Sequence, residues 1–337
     1  MLQVLSSRFV PFAPTRNLSS RLSQLRVLRL SVTDRCNFRC RYCMPREGVP
    51  QCRHDDLLSL EKLAKHVQWI IRHTGINKIR LTGGEPRVRK GIGSLIADLA
   101  GIPTVREITL TTNGSLLPQM ASDLKAAGLR RVNISLDSLN QERFALVTRG
   151  GRLDRTLAGI RAAQEAGLTP IKINTVLHRS TWKQEVPALL DFAAEHQLEI
   201  RFIELMRTGT EREWCESEFV SVDEVCAQLD AHVMPLPRGE NERAPAQRML
   251  MTWRGAHLKV GWISPRSHPF CHSCERLRMD AKGSLRRCLM DSTTFELPRL
   301  LGEMGGDAVA NAFECYIDRK LAPVAMDSLT AMSQIGG

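Results

Sequence analysis

The sequence predicts an α/β protein built on a parallel sheet. Three observations carry that prediction. Short β-rich runs alternate with longer helical stretches from Val27 onward, one helix–turn–strand unit (KAAGLRRVNISLD) is echoed by QEAGLTPIKINTVL, and polar or glycine-rich segments follow the strands. Repeated βα units imply right-handed crossovers between parallel strands. Such a sheet is open and doubly wound or curled into an incomplete barrel. In both, functional residues gather at the C-terminal ends of the strands.

The predicted strands are VLRLSV (27–32), KIRLT (78–82), EITLTT (107–112), RVNISLD (131–137), IKINTVL (171–177) and EIRFIEL (199–205). Each is short and rich in β-branched residues. Helices are predicted over 57–73, 118–128, 153–167 and 183–196. In the first, Leu60, Leu63, Ala64, Val67, Ile70 and Ile71 recur at helical spacing and make one apolar face. Gly128 and Gly167 suit left-handed helix ends. Beyond Thr208 the alternation weakens: residues 208–220 read as a charged loop, and MLMTWR (249–254) with HLKVGWI (257–263) as a hairpin. The organisation is therefore a basic arm (1–24), a βα domain (25–207) and an extension (208–337) that covers the open rim.

Composition narrows the function classes. In 337 residues an apolar fraction of 43% is ample for a core. No apolar run is long enough to span a membrane. The net charge of +11 suits a polyanionic partner without choosing one. Ten cysteines in a long chain without a secretory segment fit a reducing compartment and metal binding better than disulfides. Residues 1–33 carry five arginines before the first acid, Asp34. A basic arm on a cytoplasmic protein is the preferred reading, and a transit peptide to the mitochondrial matrix is the alternative.

RCNFRCRYCMP follows the first strand and spaces Cys36, Cys40 and Cys43 as C-x3-C-x2-C. Structural zinc sites and most iron–sulfur clusters use four ligands, so three leave one metal position open for a small molecule. A zinc knuckle or buried thiols are the bland reading. LTGGEP (81–86) follows the second strand, where two glycines allow a close backbone approach or simply a tight turn. CHSCERLRMDAKGSLRRC gives a second trio, Cys271, Cys274 and Cys288, as C-x2-C-x13-C. Taken alone it fits a cluster as well as a zinc ribbon completed by His272, His268 or Cys315.

CNFRCRYC after a first strand resembles the cluster loop of the radical S-adenosylmethionine superfamily. With LTGGEP, TTNG, NISLD, IRFIELM, the terminal C-x2-C-E-R-L-R…C and a final QIGG, the chain resembles the GTP 3′,8-cyclases, the molybdenum cofactor biosynthesis protein A family, from about Leu25 to its end. The resemblance implies an incomplete parallel (β/α)6 barrel and two 4Fe-4S clusters, the first on Cys36, Cys40 and Cys43 and the second on Cys271, Cys274 and Cys288. It implies S-adenosylmethionine held by Tyr42, Gly83, Gly84, Glu85, Ser135 and Met206. It assigns GTP to Arg29, Arg80, Thr111, Lys172, Arg276 and Arg278, with a tail, Gly336 and Gly337, reaching into the site. Arginine forks suit a triphosphate, and Arg276 and Arg278 share a face if that stretch is extended.

The implied reaction is radical cyclisation of GTP, a lyase activity. A deoxyadenosyl radical takes the ribose 3′ hydrogen, C3′ attacks guanine C8, and cyclised dihydro-GTP results. Implied partners are a reduced flavodoxin- or ferredoxin-type donor, the downstream cyclic pyranopterin monophosphate synthase and, as in many members, a second copy of the chain. Neither nucleic acid nor membrane is implied. The alternatives are a two-cluster enzyme of the same superfamily acting on a peptide or another small molecule, and a zinc-bound nucleic-acid protein. Two departures stand out: Arg87 and Val88 replace the more usual aliphatic pair after GGEP, and Cys52, Cys215, Cys226 and Cys315 match no motif.

Overall fold

The computed structural model describes residues 20–50, 56–208, 211–229, 231–236, 245–321 and 332. The chain runs α1 (Ser20–Gln24), β1 (Val27–Ser31), α2 (Leu60–Arg72), β2 (Lys78–Thr82), α3 (Ile92–Ala100), β3 (Glu107–Thr112), α4 (Ala121–Ala126), β4 (Arg131–Ser135), α5 (Gln141–Thr148), α6 (Leu153–Glu165), β5 (Lys172–Leu177), α7 (Trp182–Glu195) and β6 (Glu199–Glu204). It continues with α8 (Arg212–Ser217), α9 (Val222–Gln228), β7 (His232–Pro235), β8 (Gln247–Trp253), β9 (Ala256–Ile263), β10 (Arg276–Met279), β11 (Leu285–Arg286), α10 (Leu297–Glu303) and α11 (Gly306–Asp318). Every predicted strand is present to within two residues at either end. Helices α1, α3, α5, α9, α10 and α11 are additions to the sequence prediction.

Strands β1 to β6 pair in parallel and in chain order. The sheet does not close, which makes it a partial barrel. The extension lengthens both edges: β10 joins β1 and β9 joins β6, each in parallel, with β11 and β8–β7 outside them. The expected hairpin is β8–β9. Residues 208–220 depart from the loop prediction. Arg212–Ser217 is a helix, because Cys215 is buried and the Trp214 ring lies 5.3 Å from the His178 ring and 4.3 Å beneath the Arg41 guanidinium.

The strands alternate, rather than being apolar on both faces as parallel strands usually are. Leu28 and Leu30, Ile79 and Leu81, and Val132 and Ile134 are buried against the helices, and burying each such side chain contributes about 1.5–3 kcal/mol. The intervening residues face the lumen. Helix α2 meets the sheet through Leu63, Val67, Ile70 and Ile71, and Ser59 caps it by accepting from Lys62 N at 3.3 Å.

Helix α6 shows how tightly the loops after the strands are seated. Gly159 lies against Gly114 of the TTNG loop, and a Cβ on Gly159 would stand 2.1 Å from the Gly114 carbonyl oxygen. Gly159→Ala is therefore expected to cost about 1–3 kcal/mol, the usual penalty of overpacking, read as a lowered urea midpoint at unchanged slope.

Candidate functional site

The first cysteine loop is held from below by the glycine turn. Gly84 N donates to Thr33 O at 2.8 Å and Glu85 N to Arg35 O at 2.8 Å. A Cβ on Gly83 would lie 2.5 Å from Thr33 O, and one on Gly84 would lie 2.2 Å from Arg35 O. What approaches these glycines closely is thus the backbone that leads into Cys36. The Glu85 carboxylate is buried and fully engaged. It accepts from Thr112 Oγ1 at 2.8 Å, Asn113 N at 2.8 Å and Arg87 N at 3.2 Å. Asn113 in turn donates to Asn37 at 2.8 Å, inside the cysteine loop. Arg39 N and Arg41 N reach Thr148 O and Val147 O at the end of α5, both at 3.0 Å.

Within the loop, Cys43 N donates to Cys40 O at 2.8 Å and Phe38 N to Cys36 Sγ at 3.4 Å. Burial pushes the Cys36 thiol up to about 11. Burial, reinforced by Cys43 and Asp137, raises Cys40 well above its ordinary value. A bound cation is what converts such thiols to thiolates. Tyr42 donates to Asp137 Oδ2 at 2.8 Å, and Asp137 Oδ1 accepts from Val176 N at 2.9 Å. Met332 N donates to Cys43 O at 3.0 Å, which places Met332 against this loop.

The lumen is a cavity of about 340 Å³. Tyr42, Ser135, Met206 and Met332 line it toward the first cysteine loop, while Cys271, Cys274 and Cys288 line it too. The second trio precedes β10 or follows β11, and β10 runs parallel to β1, so the trio lies toward the N-terminal ends of the barrel strands. The two trios therefore bracket the cavity from opposite ends. Cys274 Sγ accepts from Arg276 Nε at 3.4 Å and Cys288 Sγ from Met290 N at 3.5 Å. Burial works against the Cys274 thiolate, but Arg276 and the buried Lys320 outweigh it and bring the thiol down to about 6.

Between the trios stand the cations. Strand register sets Arg278 beside Arg29, Arg29 beside Arg80, Arg80 beside Thr109 and Thr109 beside Arg131. Burial and the neighbouring guanidiniums pull Arg29 well below its ordinary value and Arg80 down to about 9. The buried Arg80 Nε has no hydrogen-bond partner. Like charges in register destabilise a sheet, and an anion placed among them relieves it. Lys172 is differently situated: its Nζ lies 2.7 Å from both Glu199 oxygens, and Arg201 lies 3.1 Å from the same carboxylate. Burial opposes the Glu199 charge, yet Arg201 and Lys172 hold its carboxyl below the usual range.

The structure brings Arg29, Arg80, Thr111, Lys172, Arg276 and Arg278 to one cavity, as expected. Gly83 and Gly84 stand behind the cysteine loop, and Glu85 offers only its backbone. Gly336 and Gly337 lie outside the described residues, as does Cys52. Buried Arg87 donates to Leu116 O, which seats the unusual residue after GGEP. The sequence reading misses Arg131, Arg201 and Glu199, although each falls on the lumen-facing positions of its strand. It also misses Lys320, which no motif marks.

Among the described residues, no three His, Cys, Asp or Glu side chains converge on a single ion. His268 is bound to Asp223 at 2.8 Å, and exposed Cys315 sits on α11 away from the cavity lining.

Residues 30–193 match the Radical SAM superfamily model, and residues 198–324 match Molybdenum Cofactor Synthesis C, so the partial barrel and its cysteine-bearing extension are the two halves of a radical S-adenosylmethionine protein. The GTP 3′,8-cyclase of Peptoclostridium acidaminophilum is 45% identical over 276 residues, 81% of this chain and 83% of that protein. Those of Pelotomaculum thermopropionicum and Moorella thermoacetica are 41% and 42% identical, and each alignment covers 93% of this chain and 98% of the relative. The chain belongs to the GTP 3′,8-cyclase family. That membership brings a 4Fe-4S cluster and S-adenosylmethionine.

The Glu85 clamp makes a testable point. Glu85→Ala strands the Thr112 hydroxyl and two backbone N–H groups, and is expected to cost about 1–3 kcal/mol or more in denaturant unfolding. Glu85→Gln, which keeps an acceptor, is expected to cost less. A loss of bound iron in Glu85→Ala out of proportion to its stability would show the clamp acting on the loop itself.

Proposed function

We propose that this chain converts GTP to (8S)-3′,8-cyclo-7,8-dihydroguanosine 5′-triphosphate, the opening step of molybdenum cofactor biosynthesis. The observation that carries the reading is the row of buried, mutually crowded arginines between two open thiol trios, in a chain of the cyclase family. Cys36, Cys40 and Cys43 are the ligands of the first 4Fe-4S cluster. With S-adenosylmethionine, that cluster would supply a 5′-deoxyadenosyl radical to take the ribose 3′ hydrogen; C3′ would then bond to guanine C8, and one electron from the reduced enzyme with one proton would complete the dihydro product.

Every other part falls to the chain. The backbone of Gly83, Gly84 and Glu85 and the side chains of Tyr42, Ser135 and Met206 seat S-adenosylmethionine beside the first trio. Arg29, Arg80, Thr111 and Lys172 hold and orient the triphosphate, and low-dielectric walls strengthen each of those contacts. Cys271, Cys274 and Cys288 hold a second 4Fe-4S cluster with one iron left for the guanine, flanked by Arg276 and Arg278. Gly336 and Gly337 complete the site. The open C3′–C8 geometry requires ribose and base to be fixed together, which a cavity gripped at both ends provides. A low-potential donor of the flavodoxin or ferredoxin type reduces the enzyme, and the product passes to cyclic pyranopterin monophosphate synthase. The cytoplasm is the compartment proposed, and a homodimer the assembly.

The primary test is 5′-deoxyadenosine release by the anaerobically reconstituted, reduced protein with GTP or ATP. Release that depends on GTP is expected. Release indifferent to the nucleotide would remove GTP as substrate and favour another radical S-adenosylmethionine reaction. Cys40→Ala is expected to abolish release. Cys274→Ala is expected to retain uncoupled release and make no cyclised product; product formation by that variant would sink the role of the second trio.

Arg80 allows a test of sign. Arg80→Met removes a buried charge from a like-charged row, so the nucleotide-free protein is expected to melt at the same or a higher temperature. The same variant is expected to bind GTP about 10- to 100-fold more weakly, the worth of one charge-assisted hydrogen bond or slightly more. Calorimetric melting and GTP titration read the two effects separately.

A further inference from the structure

A second cavity, of about 1100 Å³, lies at the other face of the barrel. Its lining comes from the segments that enter the strands: Arg26 before β1, Asn77 before β2, Arg106 before β3, Arg130 before β4, Pro170 before β5 and Leu198 before β6. It is not a separate hollow. Lys78, Glu107, Arg131, Lys172, Arg248 and Glu275 line both this cavity and the lumen, so the two meet at a neck made of these side chains.

Charge is distributed unevenly along this route. Along this route Arg131 holds Glu107 at 2.8 Å, and just outside the neck Lys172 at 2.7 Å and Arg201 at 3.1 Å hold Glu199. Arg248 approaches Glu199 at 3.8 Å. Outside the neck, Arg106, Arg130 and Lys259 are exposed, and no carboxylate among the described residues is paired with them. A funnel with cations at its mouth and a basic neck focuses anions inward, and clefts of this kind raise association rates by about 10- to 1000-fold.

We propose that this N-terminal face is the access port for the triphosphate-bearing substrate, with Arg106, Arg130 and Lys259 steering the anion to the neck. The proposal rests on the substrate reading above and adds the route. The neck carboxylates then act as exchangeable counter-ions. An arriving phosphate takes over contacts that Lys172, Arg201 and Arg131 make with Glu199 and Glu107, so the cations are held in place while the cavity waits. The unlike situation of Lys172, paired, and Arg80, crowded, follows from their positions: Lys172 stands in both cavities and Arg80 in the lumen alone.

The test compares two triple variants of the reconstituted holoenzyme. One reverses the mouth (Arg106→Glu, Arg130→Glu, Lys259→Glu). The other reverses three exposed cations that line none of these cavities (Arg155→Glu, Arg161→Glu, Lys183→Glu), so the net charge matches. Stopped-flow association of a ribose-labelled fluorescent GTP is measured in low and in high salt. The mouth variant is expected to associate about tenfold or more slowly than the control variant in low salt. The gap is expected to shrink toward zero near 1 M salt, where the screening length falls to about 3 Å. Equal rates in the two variants, whether both normal or both reduced, would overturn the port and leave the substrate reading standing. A wild-type holoenzyme that binds no labelled GTP, and whose deoxyadenosine release ignores unlabelled GTP, would overturn both.

Discussion

The site depends first on a contact between two backbones. Residues 33–35, which lead into the first cysteine, lie directly on residues 83–85, with two N–H···O bonds and no room for a Cβ between them. Glu85 then closes the arrangement from the far side by collecting donors from Thr112, Asn113 and Arg87. A buried carboxylate is costly unless its lone pairs are filled, so this group permits little variation in the three loops it joins. Asn113 extends the restraint to Asn37, in the middle of the cysteine loop. The thiols are thereby held by hydrogen bonds to neighbouring loops and not by their own sequence alone.

The lumen shows the opposite economy. Its guanidiniums are buried in register with one another, which lowers the stability of the empty protein and raises what a polyanion gains on binding. The neck is arranged differently, with its cations already matched to carboxylates. One barrel thus holds two arrangements of positive charge in a low-dielectric interior: crowding in the lumen, and pairing at the neck.

Much of this was legible beforehand. The strand order follows from the βα repeat, and the thiol trios follow from cysteine spacing. The lumen-facing arginines follow from a two-residue period on strands whose other face is apolar. What escaped depends on distance in sequence. The Lys172–Glu199–Arg201 group needs the β5–β6 register, and Lys320 reaches Cys274 only once α11 is docked. The glycines of GGEP were legible as a close approach, but not as an approach to residues 33–35. The helix at Arg212–Ser217 escaped because its short apolar side, Trp214 and Cys215, is outnumbered by charge. Its stability comes from packing on His178 and Arg41, not from local preference.

The bond from Met332 N to Cys43 O joins the first thiol loop to a residue made about 290 positions later. At ribosomal rates of about 5–20 residues per second, that separation is on the order of tens of seconds. Throughout that interval the nascent chain presents Cys36, Cys40 and Cys43 without the Met332 contact. The backbone carbonyl of Cys43 therefore waits for this partner until translation has passed Met332.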